Sequence, residues 1–156
     1  MRLPGAEDIP LPRYMSAGAS GMDIHAAVPR RFVLRPGAVK LVPTGLAIAV
    51  PSGYEGQIRA RSGLALKHGV LVVNAPGTID SDYRGEVGVI LANIGPRPVV
   101  IERGDRIAQL VVARVARVAW TERRELTRTG REAGGFGHTG ARGRARRRTA
   151  RKHAGS

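Results

Sequence analysis

Short apolar runs recur along the chain, rich in β-branched residues and separated by Gly and Pro. They cover residues 32–34, 39–42, 45–50, 70–73, 87–91, 99–101 and 107–112. Runs this short, bounded by turn residues, predict buried strands rather than helices. Residues 57–61 alternate polar with apolar side chains, as a half-buried strand does. Turns are expected at Pro36-Gly37, Pro51-Ser52-Gly53, residues 93–98 and the charged segment 102–106. One stretch reads differently: Ser62 suits a helix N-cap and Gly69 a C-terminal stop, leaving at most two helical turns. Residues 113–120 place valine at every third position, which fits neither period well; the surrounding pattern favours a strand. Residues 1–12 read as a loose Pro-rich arm leading into an edge strand. The expected fold is all-β, a distorted jelly-roll β-barrel with one short helix.

Residues 70–73 and 87–91 flank a polar tip, so they predict a hairpin. The tip holds an amide (Asn74), two carboxylates (Asp80, Asp82) and a phenol (Tyr83) between bends at Pro76, Gly77 and Gly85. It reads either as a functional loop or as an Asx-rich turn that caps its own backbone. Asp23, in a segment of small residues with Met22 and Ile24 facing the other way, can be a turn cap, a salt-bridge partner or part of a metal site. Arg61 and Ser62 at the predicted helix start suit an oxyanion, or else a solvated charge beside a cap. His68 beside Gly69 reads as a helix-end cation. Gln109 inside an apolar strand needs hydrogen-bond partners.

Charge narrows the class of partner. The 156 residues carry 26 Lys and Arg against 12 Asp and Glu, a net +14. Seven of the bases lie beyond Gly140, where there is no acid, so residues 1–140 keep 19 bases against 12 acids, a net +7. A basic core favours nucleic acid or a phosphorylated small molecule. The absence of cysteine excludes disulfides and thiolate chemistry. Nothing at the first residues reads as a signal peptide, and no apolar run approaches the roughly 18 residues of a membrane span. A cytoplasmic protein with no membrane partner is expected. Residues 127–140 are glycine-rich around a lone Phe136, and residues 141–156 form a basic low-complexity tail expected to be disordered.

Five polar islands, in order, resemble the motifs of the trimeric deoxyuridine triphosphatase (dUTPase) family. They are Ala19-Ser20-Gly21-Met22-Asp23-Ile24; Arg61-Ser62-Gly63-Leu64-Ala65; Gly77-Thr78-Ile79-Asp80-Ser81-Asp82-Tyr83 with Arg84-Gly85-Glu86; Arg103-Gly104-Asp105-Arg106-Ile107-Ala108-Gln109-Leu110; and Arg131 with Gly134-Gly135-Phe136-Gly137-His138-Thr139-Gly140. The resemblance covers about residues 10–140. It implies a core over 1–126, a lid motif over 127–140 and a tail over 141–156. It also implies hydrolysis of dUTP to dUMP and pyrophosphate by water attack at the α-phosphorus, with Mg²⁺ on the triphosphate. That reaction limits uracil incorporation into DNA and supplies dUMP for thymidylate synthesis. By the same resemblance Asp80 is the general base. Tyr83 packs under the deoxyribose, and Asn74 with the backbone of Gly77, Thr78 and Ile79 bonds uracil. Arg61, Ser62, Gly63 and Gln109 hold phosphates, and Asp23 acts near Mg²⁺ through water. Phe136 stacks on uracil, while Arg131, Gly137, His138 and Thr139 close on the nucleotide. Family members are homotrimers with shared sites.

Three features depart from the family pattern: Ala60 stands where proline is usual, Glu132 and Ala133 stand where glycine is common, and the basic tail is additional. The tail can contact nucleic acid weakly and without sequence preference. Two rivals remain. A dCTP deaminase shares the fold, but the Asp80-to-Gly85 segment follows the hydrolase pattern. A nucleic-acid or nucleotide-sensing module would explain the charge, but the aromatics form no stacking platform.

Overall fold

Alternation along the chain becomes ten strands and one helix in the computed structural model, which describes residues 1–134. The chain divides into two units, Met1–Arg117 and Val118–Ser156. All of the strands lie in the first. In chain order they are β1 (Arg13–Tyr14), β2 (Met22–His25), β3 (Phe32–Leu34), β4 (Val39–Ala47) and β5 (Tyr54–Arg59). Helix α1 (Ser62–His68) follows, then β6 (Val70–Val72), β7 (Gly77–Ile79), β8 (Glu86–Asn93), β9 (Val99–Ile101) and β10 (Arg106–Arg114).

Every pairing is antiparallel. The five-stranded sheet runs β1-β2-β10-β5-β7, the three-stranded sheet β4-β8-β6, and β3 pairs with β9. The three sheets do not join into one closed barrel, so the fold is a distorted jelly roll. Their inward residues form one core: Ile24, Leu34, Val42, Ile58, Val70, Val89, Leu91, Ile107 and Leu110 are all buried. On β8 the period is plain, with Val87, Val89 and Leu91 buried and Glu86 and Gly88 exposed. Asn93, wholly buried at the end of β8, donates from Nδ2 to the carbonyls of Leu34 (2.9 Å) and Arg97 (2.8 Å) and accepts from the Gly95 N–H (2.9 Å). It ties β8, β3 and the 94–98 turn together with no polar atom unmet.

Several expectations are corrected. The N-terminal arm is not loose. Ala6 and Ile9 are buried, Leu3 N–H donates to the Gly45 carbonyl (2.8 Å), and Arg103 bonds the Asp8 carboxylate (2.8 Å). The runs at 39–42 and 45–50 are not separate strands: β4 passes through Pro43 and shifts register before Ala47. Gly45 permits this, with φ +66° and the Ala6 methyl so close that a Cβ would lie 2.2 Å away. Arg61, not Ser62, is the helix N-cap residue, and no side chain caps it. Gly69 ends the helix in the left-handed conformation as expected, φ +69°. The strand expected over 113–120 stops at Arg114, since Val115 makes one backbone bond, to Gly53, and Val118 and Trp120 are exposed.

The described part of the second unit, residues 118–134, holds neither strand nor helix. Its order is local: Glu132 accepts from the Thr129 N–H (2.7 Å) and Arg131 Nε donates to the Gly134 carbonyl (2.8 Å). Glu132, a departure from the family pattern, thus caps its own turn. No helix among the described residues is long and apolar enough to cross a membrane.

Candidate active site

Chemistry-bearing residues gather in two places. The first is built on the register of the five-stranded sheet, where Asp23, Gln109 and Arg59 lie in one cross-strand row and His25 lies opposite Arg106. Residues directly opposite share a face. Asp23 is only 4% exposed, so its carboxylate needs partners. Arg106 Nη1 stands 3.1 Å from Oδ2, Gln109 Nε2 donates to Oδ1 (3.3 Å), and Arg61 Nε lies 3.7 Å from Oδ1. Arg61 Nη1 also donates to the Arg106 carbonyl (2.8 Å), which locks helix α1 to β10. A cavity of about 210 Å³ opens here, lined by Asp23, Arg61, Ser62, Gly63, Arg106 and Gln109, with Met15. Two guanidiniums against one carboxylate leave it net positive, which suits a polyphosphate.

His25 sits beside this group. Burial pushes its pKa below the usual histidine value; the Asp23 carboxylate opposes that, while Arg106, Arg13 and Arg61 reinforce it. Its Nδ1 is buried and has no partner among the described residues. Nothing in the sequence around Arg106 and His25 singles them out as site residues. Arg106 stands in a motif whose local sequence has the look of a charged turn, and only the β2–β10 register joins it to Asp23.

The second place is the hairpin. Strands β6 and β8 pair as expected, Val72 opposite Leu91. The tip is not all loop, however: Gly77, Thr78 and Ile79 form β7, paired with Ile58, Gln57 and Gly56 of β5 at the edge of the other sheet. Gly77 and Ile79 are buried, while Asn74, Thr78 and Asp80 are exposed. Asp80 follows β7 directly and lines a cavity of about 160 Å³ with Thr78, Ile79, Tyr83, Glu86, Val87 and Gly88. It also borders a cavity of about 270 Å³ with Glu55, Asp82 and Arg117. Arg84 Nη1 donates to the Ser81 and Tyr83 carbonyls (2.8 Å each), and Tyr83 Oη donates to the Glu86 carbonyl (2.9 Å). Glu86 Oε1 accepts from the Gly45 N–H (2.7 Å), fixing the hairpin to β4.

These two places are apart within one chain. From β2 to β7 is three strand spacings, and Asp80 lies about four residues along from the Asp23 row, so their Cα atoms are on the order of 20 Å apart. The two cavities share no residue. The structure therefore joins Asp23, Arg61, Ser62, Gly63 and Gln109, and separately joins Gly77, Thr78, Ile79, Asp80 and Tyr83, with Asn74 beside Gly77. Arg131 belongs to the second unit. Phe136, Gly137, His138 and Thr139 lie outside the described residues, as does the basic tail.

Among the described residues no three His, Asp or Glu side chains converge to hold a metal. Both oxygens of Asp23 already face cationic or amide donors. A lone carboxylate so engaged fits a hydrated Mg²⁺ carried on phosphates, touched through water, and not a directly ligated ion.

A family model described as dUTPase matches residues 7–140. The chain is 58% identical over 142 residues to the Deoxyuridine 5'-triphosphate nucleotidohydrolase of Methylocella silvestris, covering 90% of this chain and 89% of that protein. It is also 58% identical over 134 residues to the protein of the same name from Desulfotalea psychrophila, covering 86% and 89%. Among solved structures, the dUTPase of Staphylococcus bacteriophage 80alpha with dUpNHpp superposes with a TM-score of 0.78 at 24% identity, covering 87% of this chain and 95% of that one. The dUTPase of phage phi11 of S. aureus, described with a structural Mg(II) ion, gives 0.70 at 23% identity, covering 78% and 94%. The phage likenesses speak to the fold. Taken with the family match across both clusters and the bacterial relatives, they place the chain: it belongs to the dUTPase family.

Proposed function

We propose that this protein hydrolyses dUTP to dUMP and pyrophosphate, at sites that adjacent subunits of a homotrimer complete. The activity rests on 58% identity, over nearly the whole chain, to proteins named for that reaction. The shared site is supported by the separation of Asp80 from the Asp23–Arg61–Gln109 cluster within one chain. A hairpin from one subunit facing the basic cluster of its neighbour would bring the two halves onto one nucleotide.

In this reading Asp80 orients the attacking water and takes its proton. An aspartate is a weak base toward water, so positioning and charge neutralisation carry most of the acceleration. Arg61, Ser62, Gly63 and Gln109 hold the phosphates, with Asp23 reaching the hydrated metal. Bound Mg²⁺ would neutralise charge on the triphosphate. Strand β7 is the edge of its sheet among the described residues, so alternate residues turn their N–H and C=O groups away from β5. The outward groups within Gly77, Thr78 and Ile79, with the Asn74 amide, can match the donor and acceptors of uracil and reject the reversed edge of cytosine. Tyr83 lies under the deoxyribose and leaves no room for a 2′-OH. Arg131, Phe136, Gly137, His138 and Thr139 form the lid over the base and phosphates. Residues 1–126, 127–140 and 141–156 serve as core, lid and tail in a cytoplasmic enzyme.

The test is pyrophosphate release with Mg²⁺ from dUTP, dTTP, dCTP and UTP, with Asp80→Asn as control. Turnover of dUTP alone, lowered at least about 100-fold by Asp80→Asn, is expected. Ammonia from dCTP, or full activity in Asp80→Asn, would contradict the assignment.

A further inference from the structure

Gly85 is not glycine for the sake of its backbone, because its φ is not among the positive values found at Gly5, Gly37, Gly45, Gly53, Gly69 and Gly104. Space is the reason. A Cβ at this position would lie 2.4 Å from Tyr83 Oη, 2.7 Å from Cζ and 3.0 Å from Cε2. The phenol thus rests directly on the Gly85 backbone. Its hydroxyl is then aimed at the Glu86 carbonyl, which it bonds at 2.9 Å. Glu86 is itself held, since its carboxylate accepts from the Gly45 N–H on β4 and Thr44 Oγ1 donates to the adjoining Val87 carbonyl (2.5 Å). Thr44 is wholly buried, so this end of the hairpin is anchored in the core.

Tyr83 is 43% exposed, too open for packing alone to fix one ring position. The geometry points to Gly85 and Glu86 as a seat that positions the Tyr83 ring and so sets the discrimination between deoxyribose and ribose. Neither residue need touch substrate; both act through Tyr83. The inference rests on the reading that Tyr83 lies under the sugar. A methyl at Gly85 moves the phenol by about 1 Å, from 2.4 Å to ordinary contact near 3.4 Å, and pulls Oη off the Glu86 carbonyl. The ring is the far end of a side chain, so it yields while the backbone stays.

The experiment compares kcat/KM for dUTP and for UTP, with Mg²⁺, in the full-length wild type, Gly85→Ala, Tyr83→Phe and Tyr83→Ala, with the Tm of each. A purely structural role for Gly85 would scale both substrates together, so the dUTP:UTP ratio is the readout. Gly85→Ala is expected to lower that ratio by about 10- to 100-fold, the scale of an ångström misplacement. Tyr83→Phe, which keeps the ring but loses the bond to the Glu86 carbonyl, is expected to lower it about fivefold. It tests the seat even if Gly85→Ala does not fold. An unchanged ratio in folded Gly85→Ala or in Tyr83→Phe, where Tyr83→Ala does lower it, overturns the seat. An unchanged ratio in Tyr83→Ala overturns the sugar reading beneath it.

Discussion

Replacing Asp23 by Asn keeps the shape of the side chain and removes its charge. The Asp23 side chain is 5% exposed, and the two guanidiniums against it differ: Arg61 is 26% exposed and Arg106 47%. Breaking a buried ion pair from one side costs about 3–5 kcal/mol, because the remaining charge is left without compensation. Here water reaches both arginines, and an Asn oxygen can still accept from Arg106 or Gln109. The lower figure of about 2–3 kcal/mol therefore applies. For a chain of this length that is on the order of 10 °C in Tm, compared at equal protomer concentration. The assay is thermal unfolding at pH 7 followed by circular dichroism, in low salt, with and without inorganic pyrophosphate. The deficit should shrink when pyrophosphate is added, since an anion can then sit between the guanidiniums. It should also shrink in high salt. A Tm within about 2 °C of wild type in low salt would refute the claim that this carboxylate holds the two arginines together.

Two further substitutions probe what supports the site. Asn93→Ala leaves the buried Leu34 carbonyl without its donor and removes the bonds to the part-buried Arg97 carbonyl and Gly95 N–H, and should lower stability by about 2–3 kcal/mol. Urea unfolding should show a lower midpoint at unchanged slope, and a loss under about 1 kcal/mol would contradict the network. Asp8→Asn removes the charged contact that ties the N-terminal arm to Arg103, leaving the Arg103 bond to the Gly5 carbonyl. The Arg103 guanidinium holds the Asp8 carboxyl below its usual 3.8, so its contribution is present above that pH and lost as pH falls through the depressed value. Amide exchange in residues 1–9 should therefore be faster in Asp8→Asn at neutral pH, and the gap should close below about pH 3.8. A gap that persists in acid would show the arm is held some other way.

The strands were legible because their side chains are β-branched and bounded by turns. What failed to show was whatever depends on partners distant in sequence. Ala6 and Ile9 are two apolar residues among prolines and charges; only the dock against β4 gives them a core to enter. Gly77-Thr78-Ile79 is too short, and begins with too flexible a residue, to announce a strand, yet β5 recruits it. Residues 115–120 have the composition of a strand but join no ladder among the described residues, beyond the single Val115 bond to Gly53. The site divides the same way. Asp80 and Tyr83 sit in a distinctive local motif and could be marked from it. Arg106 could not, because its partner Asp23 is 83 residues away and meets it only through the β2–β10 register. Nor could any motif reveal that the hairpin and the basic cluster lie on opposite sides of a sheet's width.

That separation makes complementation the most direct measurement. Asp80→Asn damages the hairpin half and Arg61→Gln the phosphate half, and each alone should be nearly inactive toward dUTP. Subunits mixed in equal amounts by co-refolding, if hairpin and cluster come from different chains, should regain about a quarter of wild-type activity per site, the chance that both contributors are intact. Activity of the mixture no higher than that of the two separate variants would contradict a site shared between subunits.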